Sequence, residues 1–240
     1  MLRGARHAVA LTGAGISTSS GIPDFRSAHG GLWRQADPLE VASLWSFHAN
    51  PAAFYRWLRP LLRQMLDARP NPGHRALARL EAAGHLRTVI TQNIDSLHQA
   101  AGSRNVLELH GHARTFSCLS CGRAEPADAH LAAILDGRTP PPCAACGGLL
   151  KPDVTLYGEP LPFDTLSAAQ QAALACDLML VVGTSLEVMP AADLPRLARR
   201  RGARIALINL TPTPLDAEMD VVVRADAADA LGEVCRALCG

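Results

Sequence analysis

Short apolar runs recur along the chain, and each breaks abruptly into polar residues. Ala8-Val9-Ala10-Leu11, Arg87-Thr88-Val89-Ile90, Leu178 to Val182, Ile205 to Ile208 and Val221 to Val223 are mostly β-branched or aliphatic. They are too short for helices and lack polar alternation, so they read as strands of a parallel sheet, with Arg87 to Ile90 and Leu178 to Val182 buried. Between them lie helical stretches: His74 to Ala83 ending at Gly84, Leu166 to Ala175, Pro190 to Arg201, and a closing helix after Ala225-Asp226-Ala227. This strand–helix alternation predicts an α/β fold, a Rossmann-like doubly wound parallel sheet. The arginines at 196, 199, 200, 201 and 204 read as the solvated face of the helix opened by Pro190.

Two segments interrupt the alternation. Residues 28–74 are helical over 37–69, with Trp45, Phe47, Phe54, Tyr55, Trp57, Leu58, Leu61 and Leu62 as apolar contacts. Residues 114–155 carry clustered cysteines and a Pro-rich loop from Thr139 to Pro142. The chain is therefore expected to form one catalytic-type domain: a large lobe of residues 1–27, 75–113 and 156–240, and a smaller lobe of residues 28–74 and 114–155. The cleft between them is the expected site.

The polar residues that end the strands converge. The central run continues into Thr91-Gln92-Asn93-Ile94-Asp95, and Leu107-Glu108-Leu109 ends in His110-Gly111. Gly183-Thr184-Ser185 follows one strand and Asn209 another. Ligands of open α/β sheets sit at the carboxyl ends of the strands, which makes this edge the binding edge. Asn93 and Asp95 also suit the cap of a helix from Ser96 to Ala101, and His110 a hydrogen-bonded core position, so both roles stay open here. The first strand runs into Gly13-Ala14-Gly15-Ile16-Ser17-Thr18. Glycines before a helix start allow a phosphate to approach backbone N–H groups. Thr18 stands where the dinucleotide fingerprint has its third glycine, so a tight turn alone is the competing reading. Gly21-Ile22-Pro23-Asp24-Phe25-Arg26 then places an acid, an aromatic ring and a guanidinium after a Pro-stiffened turn. Gly30 and Gly31 mark this as a mobile loop.

Cysteine spacing adds a metal. Cys118-Leu119-Ser120-Cys121 and Cys143-Ala144-Ala145-Cys146 are two Cys-x-x-Cys knuckles, each followed by glycine. Two such pairs fit a tetrahedral zinc site, and four thiolates leave no open position, so the zinc is structural. Cys176, Cys235 and Cys239 read as inert.

Composition narrows the partners. With 240 residues, 48% hydrophobic content and a net charge of +1, a core is assured. There is no electrostatic case for nucleic acid or an anionic membrane as partner. No signal peptide or membrane span is visible, and seven cysteines without a secretory signal point to the cytoplasm.

Taken in order, the Gly13–Ser17 loop, Gly21–Arg26, Thr91–Asp95, His110-Gly111, the four cysteines, Gly183–Ser185 and Asn209 closely resemble the sirtuins, over nearly the whole chain. The chain looks like a compact bacterial or archaeal member. The resemblance implies an NAD-dependent protein-lysine deacylase. In that family the acyl carbonyl oxygen attacks C1′ of the nicotinamide ribose, and nicotinamide, free lysine and O-acyl-ADP-ribose leave. It further implies His110 as general base and Asn93 beside the ribose with Gln92. Asp95 and Ile94 hold the carboxamide, and Phe25 shields the reacting carbon from water. Gly13, Ala14, Gly15, Ser17, Thr18, Asp24 and Arg26 line the cofactor loop. Gly183, Thr184, Ser185, Asn209, Asp226 and Ala227 take the phosphates and adenosine. Val154 and Tyr157 meet the acylated peptide along an extended segment, Lys151 to Glu159.

Thr155 and Tyr157 depart from the family's usual Val and Phe, which bears on peptide preference. Members that remove succinyl groups carry Tyr-x-x-Arg in a pocket helix. Here Tyr55 is present but Leu58 replaces the arginine, which points to short neutral acyl groups, with Arg59 as the competing cation. Two other functions compete with deacylation: mono-ADP-ribosyl transfer, which shares the first bond cleavage, and a zinc-ribbon binding module with an inert glycine loop.

Overall fold

The strands form two sheets. The computed structural model describes residues 1–26, 31–32, 36–138 and 141–239. Gly30, in the expected mobile loop, and Thr139 and Pro140 of the Pro-rich loop lie outside them. Among the described residues the strands are β1 (Ala8–Thr12), β2 (Thr88–Thr91), β3 (Val106–Glu108), β4 (Gly111–Cys118), β5 (Ala124–Pro126), β6 (Leu150–Val154), β7 (Leu178–Val182), β8 (Arg204–Ile208) and β9 (Val221–Val223). The helices are α1 (Pro38–Val41), α2 (Leu44–Ala49), α3 (Pro51–Asp67), α4 (Pro72–Ala82), α5 (Leu97–Ala100), α6 (Asp128–Leu135), α7 (Phe163–Ala175), α8 (Leu194–Arg200) and α9 (Ala227–Cys239).

The larger sheet is parallel, in the order β3-β2-β1-β7-β8-β9. The apolar runs of β1, β2, β7 and β8 lack alternation because both faces are covered, whereas β9 is an edge strand whose Val221, Val222 and Val223 are exposed. Val9 and Leu11 enter one core cluster with Met179, Val181, Ile205 and Leu207, under Ala169 and Ala173 of α7 and Leu194 and Ala198 of α8. Ala8 and Ala10 enter the other with Leu178, Leu180 and Val182, under Leu77 and Leu80 of α4 and Leu231 of α9. The order reverses between β1 and β7, so the switch point lies where the Gly13 and Gly183 loops emerge.

The smaller sheet is antiparallel, in the order β5-β4-β6. With α3 it encloses a third cluster that includes Phe47, Phe54, Tyr55, Leu58, Phe116, Ile134 and Leu150. The stretch 37–69 is three helices rather than one. Asp37, Ser43 and Asn50 each accept a backbone N–H at a new helix start, and Pro38 and Pro51 follow two of these caps. Such caps and N-terminal prolines start helices and interrupt a continuing one.

The arginines of α8 and the following turn are exposed, as expected, and two of them also pair with acids. Arg196 pairs with Glu218 at 2.6 Å, and Arg199 donates to the Glu218 carbonyl and lies 3.9 Å from Asp220. No helix among the described residues is long and apolar enough to cross a membrane.

Candidate active site

The parallel sheet delivers its strand ends to one edge, and two of the loops there interlock. Gly13 N–H donates to the Val182 carbonyl at 3.1 Å and Gly15 N–H to the Gly183 carbonyl at 2.8 Å. A methyl group on Gly183, at φ 60, would lie 2.4 Å from Ile16 N. A side chain there is excluded by both contact and conformation. The loop after β1 is therefore glycine-rich for packing, and these two amides are already committed. It continues in two 3-10 turns, Ala14–Ile16 and Thr18–Ser20, rather than the α-helix start expected as a phosphate site. Thr18 uses its hydroxyl on the Gly15 carbonyl.

From this loop Ser17, 1% exposed, faces the turn after β2. Its hydroxyl donates to Asp95 Oδ2 at 2.6 Å and accepts from Asn93 Nδ2 at 3.0 Å. Asp95 Oδ1 accepts the Leu97 N–H at 2.9 Å. The capping and site readings of Asp95 thus hold together, one oxygen serving each. Burial pushes the Asp95 carboxyl up, while the Ser17, Leu97 and Asn93 bonds favour the anion. Gln92 reaches the other way, its Nε2 donating to Thr184 Oγ1 at 3.0 Å. Ser96 (φ 59) and Leu186 (φ 55) are left-handed non-glycines directly beyond these two loops, a conformation that costs energy and persists where the surroundings hold it.

His110 follows β3 and lies beside the same turn. Its Nδ1 is 2.9 Å from the Gln92 carbonyl. A carbonyl only accepts, so Nδ1 carries the proton and Nε2 keeps a free lone pair. Burial holds its pKa below the usual 6.5, with Arg26 adding to the effect against the Gln92 bond. Gly111, at φ 72, lets β6 approach: a Cβ there would meet the Asp153 carbonyl at 2.1 Å. The His110 carbonyl in turn accepts the Thr155 N–H at 2.9 Å. The imidazole is thereby tied to the extended segment that carries Val154 and Tyr157.

The remaining sequence candidates divide. Half-buried Ile94 and Ser185 stand in the Gln92–Asp95 and Gly183–Leu186 loops. Asn209 and Asp226 reach the same edge, with Nδ2 of Asn209 donating to the Thr211 carbonyl. Asp226 accepts the Ala228 N–H, capping α9 beside Ala227, and also the Ser19 hydroxyl. Asp24 takes the Arg26 N–H, and half-buried Phe25 lies between them. Arg26 spans to Glu187 at 2.8 Å and donates to Tyr157 Oη at 3.3 Å, links the sequence did not suggest. Val154 packs inward from β6, an edge strand of its sheet. Tyr55 and Leu58 are fully inside the third cluster rather than on an open groove, and the Tyr55 hydroxyl is spent on the Leu150 carbonyl at 2.7 Å. Arg59 lies against Gly137, its terminal nitrogens 3.3 Å from where a Cβ would sit there.

Cys118, Cys121, Cys143 and Cys146 bring four sulfurs within 4.8 Å of one another. Tetrahedral zinc with thiolates at its usual bond length separates them by about 3.8 Å, and the Cys118–Cys146 and Cys121–Cys143 separations are 3.5 and 3.8 Å. The donor set therefore fits zinc with no position left open. Glu125, 7% exposed, braces the second knuckle: Oε1 accepts the Ala144 N–H at 2.9 Å and Oε2 meets His130 Nε2 at 2.8 Å.

Sequence reading passed over two buried histidines under the site. His74, 0% exposed, has Nδ1 3.4 Å from the Asn71 N–H and Nε2 3.4 Å from Ser17 Oγ. Burial, then Arg75, lowers its pKa to about 4. His98 lies 4.9 Å from it, ring to ring. The only sequence signal for His74 was its place in the first turn of a Pro-started helix, which reads as capping.

Two outcomes are expected from this geometry. Purified protein should carry one zinc per chain, and Cys143→Ser should lose the metal and melt the smaller sheet at lower temperature, read by metal analysis and thermal unfolding; a metal-free protein of unchanged stability would refute the site. If His110 is the expected base, its protonation removes activity, and because its pKa is lowered the acid limb of kcat/KM should have its midpoint below pH 6.5. An acid limb centred above pH 7 would contradict the assigned base.

Comparison with known proteins agrees with this geometry. A model described as the Sir2 family matches residues 13–190. An NAD-dependent protein deacetylase of Chromobacterium violaceum is 48% identical over 241 residues, covering 99% of this chain and 94% of its own length. NAD-dependent protein deacylase 2 of Pyrobaculum aerophilum is 46% identical over 231 residues, covering 96% of this chain and 90% of its own. A structure from work on the mechanism and regulation of Sir2 enzymes superposes with a TM-score of 0.93 at 45% identity, covering 98% of this chain and 93% of that one. A Sir2 variant bound to a deacetylated p53 peptide and 3'-O-acetyl ADP-ribose gives 0.93 at 37% identity, covering 99% and 95%. The chain belongs to the Sir2 family and is an NAD-dependent protein deacylase.

Proposed function

We propose that the enzyme removes short neutral acyl groups from lysines of cytoplasmic proteins. The observation that carries the assignment of the base is the fixed tautomer of His110, whose Nδ1–H is held by the Gln92 carbonyl. Nε2 is then free to take a proton from a ribose hydroxyl. NAD, the co-substrate, supplies the electrophilic ribose carbon and the nicotinamide leaving group. Asn93 and Gln92 position the ribose, and Asp95 and Ile94 meet the carboxamide. Ser17 keeps Asp95 and Asn93 in mutual register. Phe25 covers the reacting carbon so that water does not compete. The Gly13–Thr18 loop, Asp24 and Arg26 line the near half of NAD, with Gly183–Ser185, Asn209, Asp226 and Ala227 along the far half. The acylated peptide lies along the edge strand β6 near Val154 and pairs with its backbone, with Tyr157, whose own backbone pairs with Ala42 and Leu44, close by. Zinc holds the knuckles and takes no part in bond making. Four thiols gathered for a metal suit a reducing compartment.

The acyl class follows from the walls. Tyr55 and Leu58 belong to an apolar cluster with Ile22 and Val154. Tyr55 has already given its hydroxyl to Leu150, and Arg59 is turned toward Gly137. Tyr55 and Leu58 lie inside this cluster, so the helix offers an acyl carboxylate neither a free hydroxyl nor a cation at the Leu58 position, and its lost hydration would go uncompensated. On matched peptides, kcat/KM for acetyl-lysine should exceed that for succinyl-lysine by about a hundredfold, near 2.7 kcal/mol. Equal or faster succinyl removal, abolished in Arg59→Ala, would reverse the assignment.

A further inference from the structure

One buried titratable side chain has no part in the chemistry above. His98, on α5, is 1% exposed, and its Nε2 lies 2.9 Å from the Oγ1 of Thr12, the last residue of β1. The Thr12 hydroxyl donates to Thr91 Oγ1 at 2.9 Å, at the end of β2, and the same Thr91 oxygen accepts the Asn93 backbone N–H at 3.1 Å. Thr12 and Thr91 are 0% and 2% exposed, so the chain runs out of reach of bulk water.

The protons on this chain can be assigned. A hydroxyl has one hydrogen, and Thr12 gives its hydrogen to Thr91. The bond to His98 must then be donated by Nε2–H. Nδ1 of His98 has no partner among the described residues, which agrees: a buried bare lone pair is tolerated more readily than a buried N–H without an acceptor. Burial, then neighbouring His74, lowers the His98 pKa to about 3, so the ring is neutral and donates once.

The chain's ends are informative. The turn Gln92–Ser96 leaves β2 and enters α5 through left-handed Ser96. Thr91 holds the start of that turn at Asn93 N–H, and His98, two residues beyond Ser96, ties its far end back to β1. Packing alone does not require this: a phenyl ring would fill much the same volume without a hydrogen-bond donor. We propose that His98 is a positioning residue for the NAD site, acting through Thr12 and Thr91 to fix the Asn93 backbone and so the direction of the Asn93 side chain. The proposal rests on the reading of Asn93 as a cofactor residue.

The test uses the full, zinc-loaded chain and its variants His98→Phe, Thr12→Val, the double variant and His98→Gln, whose amide Nε2–H can stand in for the imidazole donor. Steady-state kinetics with NAD and an acetyl-lysine peptide is run beside amide hydrogen exchange at Asn93. His98→Phe and Thr12→Val should each lower kcat/KM for NAD by about tenfold, leave the peptide KM within about twofold, and quicken exchange at Asn93; the double variant should lose no more than either single one, because both break one chain. His98→Gln should recover most of the loss. A purely space-filling role predicts a lowered melting temperature with unchanged kinetics of the folded protein and no rescue by Gln. Unchanged exchange at Asn93 overturns the proposal whatever the activity. Quickened exchange with full turnover overturns it as well, and then the fault lies in the reading of Asn93. Should His98→Phe not accumulate as folded protein, near-isosteric Thr12→Val carries the same readouts.

Discussion

A carboxylate taken out of water has to be supplied with protons by its neighbours, and Asp95 organises the site for that reason. Ser17 gives one hydrogen bond and the Leu97 N–H another. Because Ser17 spends its hydrogen on Asp95, it is left as an acceptor, and Asn93 Nδ2 fills that place. Ser17 can stand there only because the loop after β1 is pressed onto Gly183, and that contact tolerates no side chain at either glycine. One half-buried carboxylate thus ties together the loops after β1 and β2, the first of which packs on the loop after β7.

The smaller sheet serves the same centre from outside. The metal-binding knuckles flank β4 and β6, and Gly111 permits these strands to meet where His110 emerges. The bond from Thr155 N–H to the His110 carbonyl ties the backbone of His110 to the chain that leaves β6, and so to the sheet that carries the cysteine knuckles.

The sequence conveyed the larger sheet well, since runs such as Leu178–Val182 stay apolar only when both faces are covered. Parallel strands then bring their polar ends to one edge, so the convergence of Asn93, Asp95, Gly183 and Asn209 could be foreseen, as could the four sulfurs. Non-local packing could not. The glycines after β1 suggested a phosphate-binding helix start, yet their amides face the β7 loop. Tyr55 suggested a residue of the acyl pocket, yet its ring stacks on Phe116 and its hydroxyl meets Leu150. The Arg26–Glu187 pair joins residues with no shared pattern. His74 and His98 sit in stretches that read as ordinary caps and helices, and only the folded chain places them under Ser17 and Thr12.

The central claim is that this site breaks NAD only to transfer an acyl group. The direct measurement is a mass balance with labelled NAD and an acetyl-lysine peptide. The geometry predicts equal amounts of nicotinamide, deacetylated peptide and acetyl-ADP-ribose, with nicotinamide release at background when the acetyl group is absent. Release that proceeds without an acyl group, with the label accumulating on protein, would contradict it and make the enzyme an ADP-ribosyltransferase.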